Sequence, residues 1–170
     1  GSEEECRDII QNGGWQKTTV DTVRDFSAVG YFFAKDILEK AEEKVPVGII
    51  EINGNGQAIN AFLPNEVADE LGVDEKDSDG LYKTSYGGLK IPTRFMYNHY
   101  MRPFKNTAIA GMIWYQGESD FIVGSYETYN ERFAALVEYM RENSNVTNKN
   151  FPIFVVELPS MFNSSEEGWA

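Results

Sequence analysis

Between Ser27 and Lys44, the residues Tyr31, Phe32, Ala34, Ile37, Leu38 and Ala41 recur at helical spacing. Lys35, Asp36, Glu39, Lys40, Glu42 and Glu43 form the opposing polar face. This pattern predicts a first helix over Ser27–Lys44, capped at Phe26-Ser27 and stopped by Pro46. Val47–Ile52 reads Val-Gly-Ile-Ile-Glu-Ile and predicts a strand buried on both faces. It runs into Asn53-Gly54-Asn55-Gly56, residue types that tolerate positive φ. Pro64–Leu71 suits a short helix, and the acidic, glycine-rich Gly72–Leu89 a solvated loop. Thr93–Phe104 has Phe95, Met96, Tyr100 and Met101 on one side and predicts a helix up to Pro103. Ala108–Tyr115 predicts a second buried strand, and Tyr126–Asn143 a long helix with Phe133, Leu136, Val137 and Met140 as its stripe. Phe151–Leu158 predicts a third strand, ended by Pro159.

Helices alternating with buried strands are the pattern of a parallel sheet covered by helices, an α/β fold. Right-handed crossovers place the C-terminal strand ends along one edge of such a sheet. Those ends are Asn53–Gln57, Gln116–Asp120 and Pro159–Phe162, and chemistry is expected there. The aromatic cluster Tyr31, Phe32, Phe33 and the stripe Phe133, Leu136, Met140 are expected in the core, as is Trp114 within its apolar strand.

Composition narrows the function. The chain has 170 residues, 42% hydrophobic and 14% aromatic, enough for one sizeable core and too apolar for a disordered tail. A net charge of −12 repels phosphate backbones, so nucleic acid is not an expected partner. The longest strongly apolar run, Ala108–Tyr115, falls far short of the roughly 20 residues of a membrane span, and no membrane partner is expected. Cys6 is the single cysteine and His99 the single histidine, which excludes an internal disulfide and a Cys/His zinc cluster. The sequence holds no P-loop, dinucleotide fingerprint or metal triad, so neither metal nor cofactor is expected. Gly1-Ser2 reads as a protease-cleavage scar, leaving residues 3–170 as a single domain.

Gln116-Gly117-Glu118-Ser119-Asp120 gathers several polar groups at one strand end. By composition it is either a polar loop that caps the next helix or a reactive site. Gly117-Glu118-Ser119 is half of a G-x-S-x-G elbow, with Phe121 in place of the second glycine. His99 lies mid-helix, so a Ser119–His99–Asp120 triad fits poorly.

Trp114-Tyr115-Gln116-Gly117-Glu118-Ser119 resembles the Trp-Tyr-Gln-Gly-Glu-Ser signature of the sialate O-acetylesterase-like carbohydrate esterases, which are SGNH (GDSL-like) hydrolases. Three other stretches resemble the family in the same order. They are Phe26–Ala34; Pro46–Ile50 with Gly56–Phe62; and Phe151-Pro152, Val155 and Leu158-Pro159 followed by Gly168-Trp169-Ala170. The resemblance implies a flavodoxin-like three-layer α/β/α fold with a parallel sheet. It also implies a carbohydrate O-acetylesterase acting on acetylated sialic acid or other acetylated glycans, in a periplasmic or secreted setting.

In such enzymes a serine attacks the acetyl carbonyl, a histidine takes its proton, an aspartate orients the histidine, and an oxyanion hole holds the intermediate. Carried onto this sequence, the hole's glycine is Gly56 and its side-chain amide Gln116; a neutral amide donates to developing negative charge without ionising. Glu118 either orients the serine loop, contacts sugar hydroxyls or holds its own loop together. Asn55 and Trp169 are the candidate substrate contacts. Two departures stand out. The family's Trp-Gly-Gly-Thr appears as Gly54-Asn55-Gly56-Gln57, and neither the Gly-Gln-Ser-Asn nucleophile segment nor the Asp-x-x-His pair is present. The chain therefore reads as the central portion of such a domain, inactive alone, whose missing sheet partners favour association with another copy or with the missing segments. The rival reading is a glycan-binding or interaction domain that keeps the esterase scaffold without its catalysis.

Overall fold

Helix α1 (Ala28–Lys40) begins where Ser27 folds its hydroxyl back to accept from the Gly30 N–H at 3.2 Å. The computed structural model describes residues 14–73, 93–123, 125–143 and 150–159. The chain divides into two compact units, one of them Gln11–Asn53 and the other running onward from Gly54.

In the first unit, Glu51 holds the start of α1. One carboxylate oxygen accepts from the Ser27 N–H at 3.0 Å and the other from Asn53 Nδ2 at 2.8 Å. A negative group at that position is favoured by the helix dipole. A Cβ on Gly30 would stand 3.2 Å from Ile49 Cγ2, so the absent side chain lets the Ile49 segment approach the helix. The helix ends at Lys40, earlier than the expected Lys44: the backbone turns extended at Ala41 (ψ 135°), and Lys44 curls its ammonium back onto the carbonyls of Leu38, Glu39 and Ala41. Phe32 is 62% exposed rather than core, since consecutive helical residues point in different directions and Gly30 marks the packed side. The expected strand Val47–Ile52 belongs to no ladder among the described residues, and it is half-buried with Gly48 exposed. A strand exists only through a partner, and none is paired with it there.

The second unit carries the sheet. Strands β1 (Met112–Trp114) and β2 (Ile153–Val155) pair in parallel with Met112 opposite Ile153 and Trp114 opposite Val155. Met112 N–H to Pro152 O (3.0 Å) and Val156 N–H to Trp114 O (2.9 Å) extend the pairing at both ends. Both strands are shorter than the apolar runs that predicted them. Helices α2 (Asn65–Glu70), α3 (Glu118–Val123) and α4 (Tyr129–Asn143) accompany the sheet among the described residues, so the unit is α/β as expected. The expected helix over Thr93–Phe104 is broken up. Arg94 sits at φ 72°, Tyr97–Met101 forms a π-helical turn, and Arg102–Phe104 tightens into 3₁₀ geometry at Pro103.

The core is built from Ile59, Phe62, Leu63, Ala68, Trp114, Leu136 and Phe151, all buried. Trp114 is buried as expected, with Phe62 edge-on at 5.3 Å and Phe133 tilted at 5.3 Å. These rings anchor the end of β1, where the polar loop begins. The loop predicted over Gly72–Leu89 lies almost wholly outside the described residues, as does Trp169.

Candidate active site

Beyond Trp114 the chain turns sharply at Gly117, whose φ of 148° is open to glycine. A Cβ there would meet Leu158 Cδ1 at 2.8 Å, so the ends of the second and third predicted strands come together as the sheet argument required. The turn lets α3 start at Glu118 and sets Asp120 in its first turn, four residues after Gln116.

Gln116 is held on every side. Its Nε2 donates to Asp120 Oδ2 at 2.6 Å and to the Gln57 carbonyl at 2.9 Å, and its Oε1 lies 3.0 Å from the Tyr129 hydroxyl. Tyr129 accepts from Trp114 Nε1 at 2.8 Å and shares its one proton between the Gln116 Oε1 and backbone carbonyl, each at 3.0 Å. Turning the amide over would set its oxygen against a carboxylate and a carbonyl, so one orientation is strongly preferred.

Asp120 is 1% exposed. Its Oδ2 also accepts from the Ile59 N–H at 2.9 Å, and its Oδ1 from the Ser125 hydroxyl at 2.6 Å. Burial pushes the Asp120 carboxyl above the usual carboxylate range, opposed by the bonds from Gln116, Ser125 and Ile59 and by the charge of Arg132. Burial likewise pushes the Tyr129 hydroxyl up to about 12, so it stays protonated and able to donate at neutral pH. Arg132 Nη1 bonds Asn60 Oδ1 at 2.8 Å, tying α4 to the same loop.

The structure thus brings the Gly56–Ile59 segment and the Gln116–Asp120 loop together. Gly56 lies at φ 67°, which suits glycine, and is half-buried beside Gln57. Gln57 is 6% exposed; its Nε2 reaches the Asn55 carbonyl at 3.1 Å, while its Oε1 is buried with no hydrogen-bond partner. Asn55 and Glu118 are exposed at the rim. Ser119 is 6% exposed, and His99 rests tilted against Phe95 at 4.7 Å, while Asp120 spends its oxygens on other donors. The arrangement of these three residues offers no triad. Tyr129 and Ser125 were not singled out by sequence; only their helical distance downstream of Gln116, on or before α4, could have pointed to them. Among the described residues, no cluster of His, Cys, Asp or Glu could hold a metal ion, and no helix is long and apolar enough to cross a membrane.

A family profile described as carbohydrate esterase, sialic acid-specific acetylesterase matches residues 11–169. The chain belongs to this family. Sialic acid-specific acetylesterase relatives include the sialate O-acetylesterases of Pongo abelii and Homo sapiens, each 27% identical over 185 residues and covering 99% of this chain. The chain spans about a third (34%) of the length of each of these relatives. The Trp114–Ser119 loop lies within the residues the profile matches.

Proposed function

We propose that this chain is the central portion of a carbohydrate O-acetylesterase that hydrolyses acetyl esters on sialic acid or other acetylated glycans. Family membership supports the ester-hydrolysing chemistry, and the observation that carries the site is Gln116 Nε2 lying 2.9 Å from Gln57 O. That contact joins the segment bearing Gly56 to the segment bearing Gln116. The Gly56 N–H and the Gln116 amide are the oxyanion donors, charged groups being unnecessary because a neutral amide pre-aimed at the carbonyl oxygen stabilises the charge as it develops. The serine nucleophile and its His/Asp pair are supplied by residues outside this chain. Asn55 and Glu118, both exposed, contribute sugar contacts, and Trp169 is assigned the same role from the family resemblance. The parallel pair β1–β2 is part of the larger sheet of a flavodoxin-like three-layer domain.

One observation favours the rival, a glycan-binding domain on the same scaffold: both Nε2 protons of Gln116 already have acceptors. Under the esterase reading, the proton on the neutral Gln57 carbonyl transfers its allegiance to the substrate oxygen. In the full-length protein, Gln116→Ala then lowers kcat by roughly 10²-fold with little change in KM. A variant with the parent kcat removes Gln116 from the chemistry.

A further inference from the structure

We infer that Asp120 is the positioning residue of this site. It acts through Gln116, keeping one Nε2 proton on its carboxylate so that the other faces the oxygen to be stabilised. The inference rests on the oxyanion reading and goes beyond it by naming what aims the amide.

The two bonds from Gln116 Nε2 are unequal. The one to Asp120 is short, at 2.6 Å, and goes to a carboxylate; the one to Gln57 is 2.9 Å and goes to a neutral carbonyl. Bonds to carboxylates are roughly twice as strong as neutral ones, so the Gln57 contact is the one that yields to a substrate. The same Asp120 oxygen accepts from Ile59 N–H at 2.9 Å. A single atom therefore fixes the amide relative to the Gly56–Ile59 segment, where the second oxyanion donor resides. Asp120 Oδ1 is itself held by Ser125 at 2.6 Å, and the side chain is 1% exposed, so bulk water is poorly placed to replace it. Tyr129 secures only the oxygen end of the amide. Gln116 has three rotatable side-chain bonds, and without the carboxylate its nitrogen end is free to re-aim.

Asp120→Asn is the conservative variant. Its oxygen can keep both N–H donors, and its nitrogen can donate to the Ser125 hydroxyl, which accepts as readily as it donates. Asp120→Ala removes all three bonds.

The test is a double-mutant cycle on acetyl-ester hydrolysis by the full-length protein. Asp120→Ala is expected to lower kcat by roughly 10- to 100-fold with KM within about twofold, and Asp120→Asn to return it to within about threefold of the parent. Gln116→Ala combined with Asp120→Ala is expected to be no slower than Gln116→Ala alone. Losses that multiply, or an Asp120→Ala enzyme with the parent kcat, overturn the positioning role while leaving Gln116 in place. A parent-like Gln116→Ala enzyme instead overturns the oxyanion reading itself. If Asp120→Ala does not fold, protein labelled with [15N]glutamine reads the same contact. The downfield Gln116 side-chain proton, identified by its loss in Gln116→Ala, is expected to move upfield in Asp120→Asn. An unmoved proton overturns the inference.

Discussion

The Tyr129 hydroxyl stands between Trp114 and Gln116, accepting from the indole Nε1 at 2.8 Å and lying 3.0 Å from the Gln116 amide oxygen. The aromatic core under β1 is thereby coupled to the polar loop above it. Trp114 is 5% exposed, so its N–H depends on this one acceptor.

Tyr129→Phe removes the acceptor and keeps the ring. A buried donor left unmatched costs about 1–3 kcal/mol, and chemical denaturation should show a loss in that range. Activity should fall less than in Gln116→Ala, because the nitrogen end of the amide retains both of its contacts. A variant as stable as its parent contradicts the role given to the hydroxyl.

Gly117→Ala should destabilise more than Gly72→Ala. Both positions have positive φ, but a Cβ at Gly117 meets Leu158 Cδ1 at 2.8 Å, whereas one at Gly72 meets nothing within 4 Å. The Gly72 change carries the backbone penalty alone, about 1–2 kcal/mol. The Gly117 change adds displacement of Leu158 and re-aims the Gln116 loop. Equal melting temperatures for the two variants contradict this.

Asp120 gives the site a pH dependence whose sign is fixed by burial. Its native carboxyl holds its proton to higher pH than the unfolded chain, whose value is near 3.8. The stability it contributes is complete below that unfolded value and is lost as pH rises through the raised native one. Asp120→Asn deletes this titration, so the difference between parent and variant isolates it from every other group. The parent is expected to lose stability relative to Asp120→Asn as the pH is raised from about 4 toward neutrality. A difference that grows in the parent's favour contradicts the burial argument.

Much of the site was legible in the sequence because it depends on short-range pattern. The apolar run Ala108–Tyr115 and the glycine after Gln116 announced a strand and a turn, and both are present, the strand shortened to Met112–Trp114. Helix α4 follows from periodicity, and the burial of Trp114 from its apolar neighbours. What the sequence could not convey is pairing. Val47–Ile52 has the composition of a buried strand, yet a strand needs a neighbour, and local composition does not say whether one is there. The stretch Thr93–Phe104 has helical spacing, but the left-handed Arg94 and the π-helical turn arise where Arg94 N–H bonds Asn60 O at 2.8 Å and Asn98 bonds Asn65 at 2.8 Å. Those are contacts with distant residues, which override local preference. The same holds at the site. Gln116 could be chosen from its motif, whereas the parts played by Asp120, Ser125 and Tyr129 appear only once Ile59 and Gln57 are folded against them.

The most direct measurement is acetate release from acetylated sialic acid and from an aryl acetate, comparing this chain with a version extended at both ends into the full-length protein. Hydrolysis by the extended protein alone is the predicted result, with the nucleophile and its histidine in the added segments and Gly56 and Gln116 receiving the oxyanion. Hydrolysis by the short chain would contradict the account and return attention to Ser119 and His99. No hydrolysis by either would contradict the esterase reading and leave the glycan-binding one.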